Sequence, residues 1–215
     1  FIPLFIVLWQ SKMLNSSLRL ILATSNQGKL IELRQLLDCV PVSILSLDDF
    51  AWITEVEETG ATFSDNAALK AVGYALQTGL PTLADDSGLE IEALDGRPGI
   101  HSARYGGNTS FAEKMAMVLD EIVAVGGVNR RARFVSSIAF ANANGAILRT
   151  VEGSCTGVLA ESPRGNGGFG YDPIFVPDGH SPTFGELSES VKRQISHRSR
   201  AFSKIMPYLR DFYAV

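Results

Sequence analysis

Residues 18–37 read LRLILATSNQGKLIELRQLL, and the change of period along them decides the fold class. Leu18 to Ala23 is a short, nearly continuous apolar run, the pattern of a buried strand. Thr24 to Gly28 is a polar turn. From about Lys29 to Leu37, the apolar positions Leu30, Leu33, Leu36 and Leu37 fall at helical spacing and give one core-facing stripe. A buried strand that feeds a helix through a tight polar turn is the opening of an α/β sheet.

The same reading extends outward. Val42 to Leu45 is a second short strand. Thr62 and Asp65 have capping-box spacing, with Asp in place of the usual Glu or Gln, so a helix should run from there to about Gln77 and stop near Gly79-Leu80-Pro81. Thr82 to Ala84 reads as a short strand entering Asp85-Asp86-Ser87-Gly88, and Leu89 to Ala93 as the next strand. Ser110 and Glu113 form another capping box, ahead of a helix ending near Val125. Arg133 to Ala141 and Ala146 to Glu152 form a hairpin around Asn144-Gly145, and Cys155 to Ala160 continues the sheet. A strand at Ile174 to Val176 follows, and a last helix begins near Ser196. Helices alternate with strands early and hairpins come late, which indicates a mixed sheet.

Of the 215 residues, 46% are hydrophobic and 20% charged, with a net charge of −4. That balance is globular, and no cluster of Lys and Arg supports a nucleic-acid surface. Cys39 and Cys155 stand alone, outside any metal or disulfide spacing, which fits a reducing cytoplasm. Phe1 to Trp9 (FIPLFIVLW) is almost wholly apolar. It is shorter than the ~20 residues that span a bilayer and lacks the basic start of a signal peptide. The expectation is that residues 1–12, and the stretch 1–17 as a whole, form an extension outside the fold; a short membrane-associating tail is the alternative.

Five segments could carry chemistry. Thr24-Ser25-Asn26-Gln27-Gly28-Lys29 places backbone N–H groups and one cation at a helix start, which favours anions. Glu57-Glu58-Thr59-Gly60 precedes a helix on which Asn66 and Lys70 share a face. Adjacent carboxylates suit a hard cation, although a solvated acidic loop has the same composition. Asp85-Asp86-Ser87 sits where catalytic groups gather in such sheets, or it is an Asx turn. In Gly165 to Asp172, glycines allow close backbone approach and Phe169 offers a stacking face. Lys192 and Ser196-His197-Arg198 add cations at the start of the last helix.

In order along the chain, TSNQGK (24–29), EETGATFSDNAALKA (57–71), ADDSGLEIEALDGRPGIHSARY (84–105), GGFGYDPIF (167–175) and SHRSRA (196–201) resemble the inosine triphosphate pyrophosphatase family, also called dITP/XTP pyrophosphatases. The resemblance covers about Leu20 to Leu209. It implies a mixed, curved sheet with flanking helices, forming two lobes around a central cleft within one domain over 18–215. It implies a homodimer that converts ITP, dITP or XTP into the monophosphate and pyrophosphate with Mg²⁺. Neither nucleic acid nor membrane is an expected partner. By the resemblance, Thr24, Ser25, Asn26, Gln27, Gly28 and Lys29 hold the triphosphate with Lys70 nearby. Glu57 and Asp86 bind magnesium, and Asp86 is the general base. Ser87 contacts substrate, and Phe169 stacks on the base beside Gly170, Tyr171 and Asp172. Lys192, His197 and Arg198 reach the base and phosphates.

Overall fold

The computed structural model describes residues 18–213; the extension expected over 1–17 lies outside them. Six strands, β1 (Arg19–Ala23), β2 (Ser43–Ser46), β3 (Thr82–Ile91), β4 (Arg131–Ala141), β5 (Ile147–Leu159) and β6 (Phe175–Pro177), form one sheet in the order β2-β1-β3-β4-β5-β6. β1 pairs in parallel with β2 and β3, and the rest of the sheet is antiparallel. Five helices flank it: α1 (Gln27–Leu37), α2 (Phe63–Thr78), α3 (Phe111–Ala124), α4 (Glu189–Ile195) and α5 (His197–Tyr213). No helix among the described residues is long and apolar enough to cross a membrane.

The expected mixed α/β fold is present, with differences that bear on the site. Both capping boxes form, Thr62 with Asp65 and Ser110 with Glu113. α1 begins two residues earlier than its apolar stripe suggests, because the Asn26 side chain accepts the Lys29 N–H and caps it. The two short strands expected at 82–84 and 89–93 are one ten-residue strand, β3. The polar Asp85-Asp86-Ser87-Gly88 run reads as a loop, yet it stays extended because its side chains find partners and its backbone pairs with β4. In the same way Cys155 to Leu159 belongs to the thirteen-residue β5. α4 had no expected counterpart.

Alternation along the strands assigns the faces. Leu20, Leu22, Leu83, Ile138 and Phe140 pack with α1 and α5 in one core. Ala23, Ala84, Ala139 and Ala141 face the other way and meet Ala67, Ala71 and Ala75 of α2. Alanine against alanine lets α2 sit close to the sheet. Further along the same strands, Leu89, Ile91, Ala132 and Phe134 enter a separate core with α3, Phe175 and Phe184. Between these cores β3 and β4 carry a polar waist of Asp85, Asp86, Ser136 and Ser137, all buried. Residue by residue, Asp85 pairs with Ile138 and Asp86 with Ser137.

Candidate active site

A cleft crosses this waist. At one end it is lined by residues including Asn26, Lys29, Glu58, Lys70, Asp86 and Ser87. At the other, Phe169, Asp172, Lys192, His197 and Arg198 line it. Asn26, Lys29, Ser87 and Ala103 border both ends, so the two are continuous.

Asp86 faces α2. Its Oδ1 accepts a hydrogen bond from Lys70 Nζ at 3.0 Å, and Lys70 also donates to Glu58 at 2.7 Å and to the Asp85 carbonyl at 3.0 Å. Asp86 Oδ2 is buried with no partner. Burial pushes the Asp86 carboxyl above its ordinary pKa, and the nearby Lys70 and Lys29 do not bring it back. Lys70 moves up, because Asp86 and Glu58 outweigh its burial.

Asp85 faces α1 and α5 and is saturated. Lys29 lies 3.0 Å and Arg198 3.4 Å from its Oδ2, Ser87 donates to it at 3.1 Å, and Ser136 donates to Oδ1. Burial alone would raise this carboxyl, but Lys29, Arg198 and Ser136 together hold it well below the usual carboxylate range. Burial leaves Lys29 below its ordinary value.

At the far end, Lys192 Nζ bonds both Asp172 and Glu32 at 2.6 Å. Arg198 pairs with Glu32 as well and donates to Ser87 at 2.9 Å. The Phe169 ring rests on Gly28, where an added Cβ would lie 2.6 Å from it. Lys192 and Arg198 stand 5.0 and 5.6 Å from its centroid. The Phe169 N–H donates to Asp172 at 2.8 Å, tying the glycine loop to the Lys192 pair. Tyr171 is buried and donates to the Ser102 carbonyl at 3.0 Å.

Most of the expected residues therefore meet in one cleft. Ser25 lines the phosphate end although it is exposed, whereas Gln27 is exposed outside the cleft and reaches Asp48. The structure does not bring Glu57 into the cleft. Over 55–60 exposed and half-buried positions alternate, so Val56, Glu58 and Gly60 face α2 while Glu57 points to solvent. Glu58, not Glu57, stands at Lys70. Sequence reasoning also missed Glu32, three residues after Lys29 on α1, and the central place of Asp85. Arg104 escaped it too, although it pairs with Glu58 at 3.1 Å.

The sequence model of the Ham1 family matches residues 20–208. The chain belongs to the Ham1 family. Among its curated relatives, the dITP/XTP pyrophosphatase of Deinococcus deserti is 46% identical over 193 residues, covering 90% of each chain. That of Geobacter sulfurreducens is 46% identical, over 89% of this chain and 96% of the relative. Among solved structures, a HAM1 protein from Coxiella burnetii superposes with a TM-score of 0.82 at 42% identity, over 90% of this chain and 99% of that one. The Ham1 protein of Staphylococcus aureus gives 0.79 at 34% identity, with coverage of 90% and 98%. Ham1 membership accounts for the order of the five motifs and the curled sheet that brings them together.

The described residues gather no group of three or more His, Cys, Asp or Glu side chains that would enclose a metal ion. Two carboxylates, Glu58 and Asp86, share Lys70, and Asp86 keeps an unpaired oxygen. That fits a hard divalent cation that takes its remaining ligands from substrate phosphates and water.

Proposed function

We propose that this chain hydrolyses the non-standard purine nucleoside triphosphates ITP, dITP and XTP to the monophosphate and pyrophosphate, with Mg²⁺ held by Glu58 and Asp86. The observation that carries the reading is the unpaired, buried Oδ2 of Asp86 at the lysine-bearing end of a cleft whose other end carries an aromatic ring and two cations. Its Ham1 relatives of like sequence bear the name dITP/XTP pyrophosphatase.

Charge supports the metal. Lys29 and Lys70 face Glu55, Glu58 and Asp86 at the phosphate end, so the cleft alone offers a triphosphate no net attraction. Mg²⁺ there supplies positive charge that neutralises phosphate oxygens. Asp86, with its raised pKa, accepts a proton from water. The water oxygen forms its bond to the α-phosphorus as the bond from that phosphorus to the bridging oxygen breaks, and pyrophosphate leaves. Lys29 and Lys70 hold phosphate oxygens, and the Asn26-capped N-terminus of α1 adds N–H donors. At the other end the base stacks on Phe169. Lys192 and Arg198 are donors only, so a 6-oxo acceptor is satisfied while a 6-amino group leaves donor facing donor. A homodimer belongs to the same reading, and light scattering on the eluting protein reads it.

Incubation with ITP, dITP, XTP, ATP, GTP and dTTP in Mg²⁺ tests the function. Pyrophosphate should appear with the first three and far less with the others. Release of orthophosphate in its place, or equal rates on ATP, overturns the reading.

A further inference from the structure

Residues 54–62 run as an extended strap along α2, lashed to it at nearly every second residue. The Thr54 N–H donates to Gln77 Oε1 at 2.8 Å, and the Val56 N–H to the Tyr74 hydroxyl at 3.3 Å. Glu58 accepts from Lys70 at 2.7 Å, the Gly60 N–H donates to Asn66 Oδ1 at 2.8 Å, and the Thr62 N–H to Asp65 at 3.1 Å. From Thr54 to Gly60 the strap advances by two residues while the helix retreats by three or four, the match between an extended chain and a helix face, and Thr62 ends the strap as the helix cap. Glycines keep the two close. A Cβ on Gly73 would lie 2.6 Å from Val56, and one on Gly60 would lie 2.5 Å from Asp65 Cβ. Among the rungs from Val56 to Gly60, Glu58 alone contributes its side chain, and a backbone rung clamps it on each side.

Asn66 makes the rung on the C-terminal side. It is fully buried, and its Nδ2 has no hydrogen-bond partner. Packing alone does not explain it, since an apolar side chain there would leave no amide unsatisfied. Its Oδ1 has one task, which is to fix Gly60. We propose that Asn66 is a positioning residue that sets the Glu58 carboxylate beside Asp86 for the divalent cation, an inference that rests on the function proposed above.

The test is binding of Mn²⁺ to the full chain, followed by paramagnetic resonance in the presence of an uncleavable α,β-imido analogue of ITP. Asn66→Ala should weaken Mn²⁺ binding about 10-fold, the scale for loss of a group that orients a metal ligand. Its turnover on ITP should recover as Mg²⁺ is raised. Glu58→Gln should weaken binding at least as much, and adding Asn66→Ala to it should cost nothing further, because Asn66 acts through Glu58. Tyr74→Phe removes only the hydroxyl at the neighbouring rung and keeps the ring, so it stays informative if Asn66→Ala does not fold; it should weaken Mn²⁺ a few-fold. Wild-type binding in folded Asn66→Ala or Tyr74→Phe overturns the proposal, as does additivity in the double variant. Failure of the unaltered protein to bind Mn²⁺ or release pyrophosphate overturns the functional reading itself, which separates the two failures.

Discussion

Where β3 crosses the waist, its two faces treat neighbouring carboxylates in opposite ways. On the α1 and α5 face, Asp85 is surrounded by Lys29, Arg198, Ser87 and Ser136 and is held well below the usual carboxylate range. On the α2 face, Asp86 keeps one oxygen unpaired and is pushed up by burial. Strand alternation separates them, and the composition of each face does the rest. A saturated carboxylate stabilises a structure and has nothing left to offer a substrate. An unsaturated one costs stability and can take a proton.

The largest effect should come from emptying the saturated face. Asp85→Ala leaves Lys29 and Arg198 buried without their shared partner, and breaking such a group costs about 3–5 kcal/mol. Urea unfolding at neutral pH reads it. The sign with pH follows from a depressed folded value. The stabilisation is complete above the unfolded carboxylate pKa of about 3.9 and is lost as pH falls toward the folded value. If Asp85→Ala unfolds at the wild-type urea concentration, the cations do not depend on Asp85 and the contrast fails.

Asp86→Asn should do the reverse: cut turnover while sparing the fold. Loss of a general base costs at least about 100-fold in turnover on ITP at saturating Mg²⁺. Because burial disfavours the Asp86 charge, the neutral isostere should melt no lower than wild type in metal-free buffer near pH 7. Near wild-type turnover would remove Asp86 from the chemistry. Recovery of rate as Mg²⁺ rises would make it chiefly a ligand.

The base end should respond in affinity. Phe169→Ala removes a stacking face used equally in ground and transition states, so KM for ITP should rise by the equivalent of about 1–3 kcal/mol while kcat holds. The ring also rests on Gly28 against Lys192 and Arg198. A collapse of kcat with KM unchanged would mean that it anchors the loop and does not read the base.

How much of this was legible in the sequence depends on the range of the interaction. Strand–turn–helix at 18–37 and both capping boxes rest on local periods, and these were readable. The continuity of β3 was not, because Asp85 to Ser87 look like a turn until Ser136, Lys70 and Arg198 arrive from elsewhere in the chain. Glu32 meets Lys192 and Arg198 across 160 and 166 residues, and no local pattern marks it. Glu58 was within reach. The period of two over 55–60 is present in Glu-Val-Glu-Glu-Thr-Gly, but with one apolar residue to mark the inner face, the acidic pair masks which carboxylate points inward.

The smallest effect should be a slope. His197 is buried, stacked on Phe134 with centroids 4.7 Å apart and planes 15° apart. Burial, with Arg198, Lys192 and Lys29 nearby, holds it well below its ordinary value against the opposing pull of Asp85. The folded protein therefore keeps His197 neutral where the unfolded chain begins to protonate it, below about pH 6.5. The unfolded state then binds more protons, so stability must fall with pH, approaching about 1.4 kcal/mol per unit from this group alone. Asp86 and Asp172, both pushed up by burial, tilt the curve the other way. For that reason the measurement is a difference. His197→Phe keeps a ring against Phe134 and removes the titration, so urea-derived stabilities of variant and wild type, taken from about pH 6.5 down to about pH 5, should converge or cross as wild type loses ground. Parallel curves would mean that His197 takes up its proton in the folded state as readily as in the unfolded chain. Below about pH 6.5 it would then sit in the cleft as a third cation beside Lys192 and Arg198, and recognition at the base end in that range would be a matter of charge more than of donors placed against a 6-oxo group.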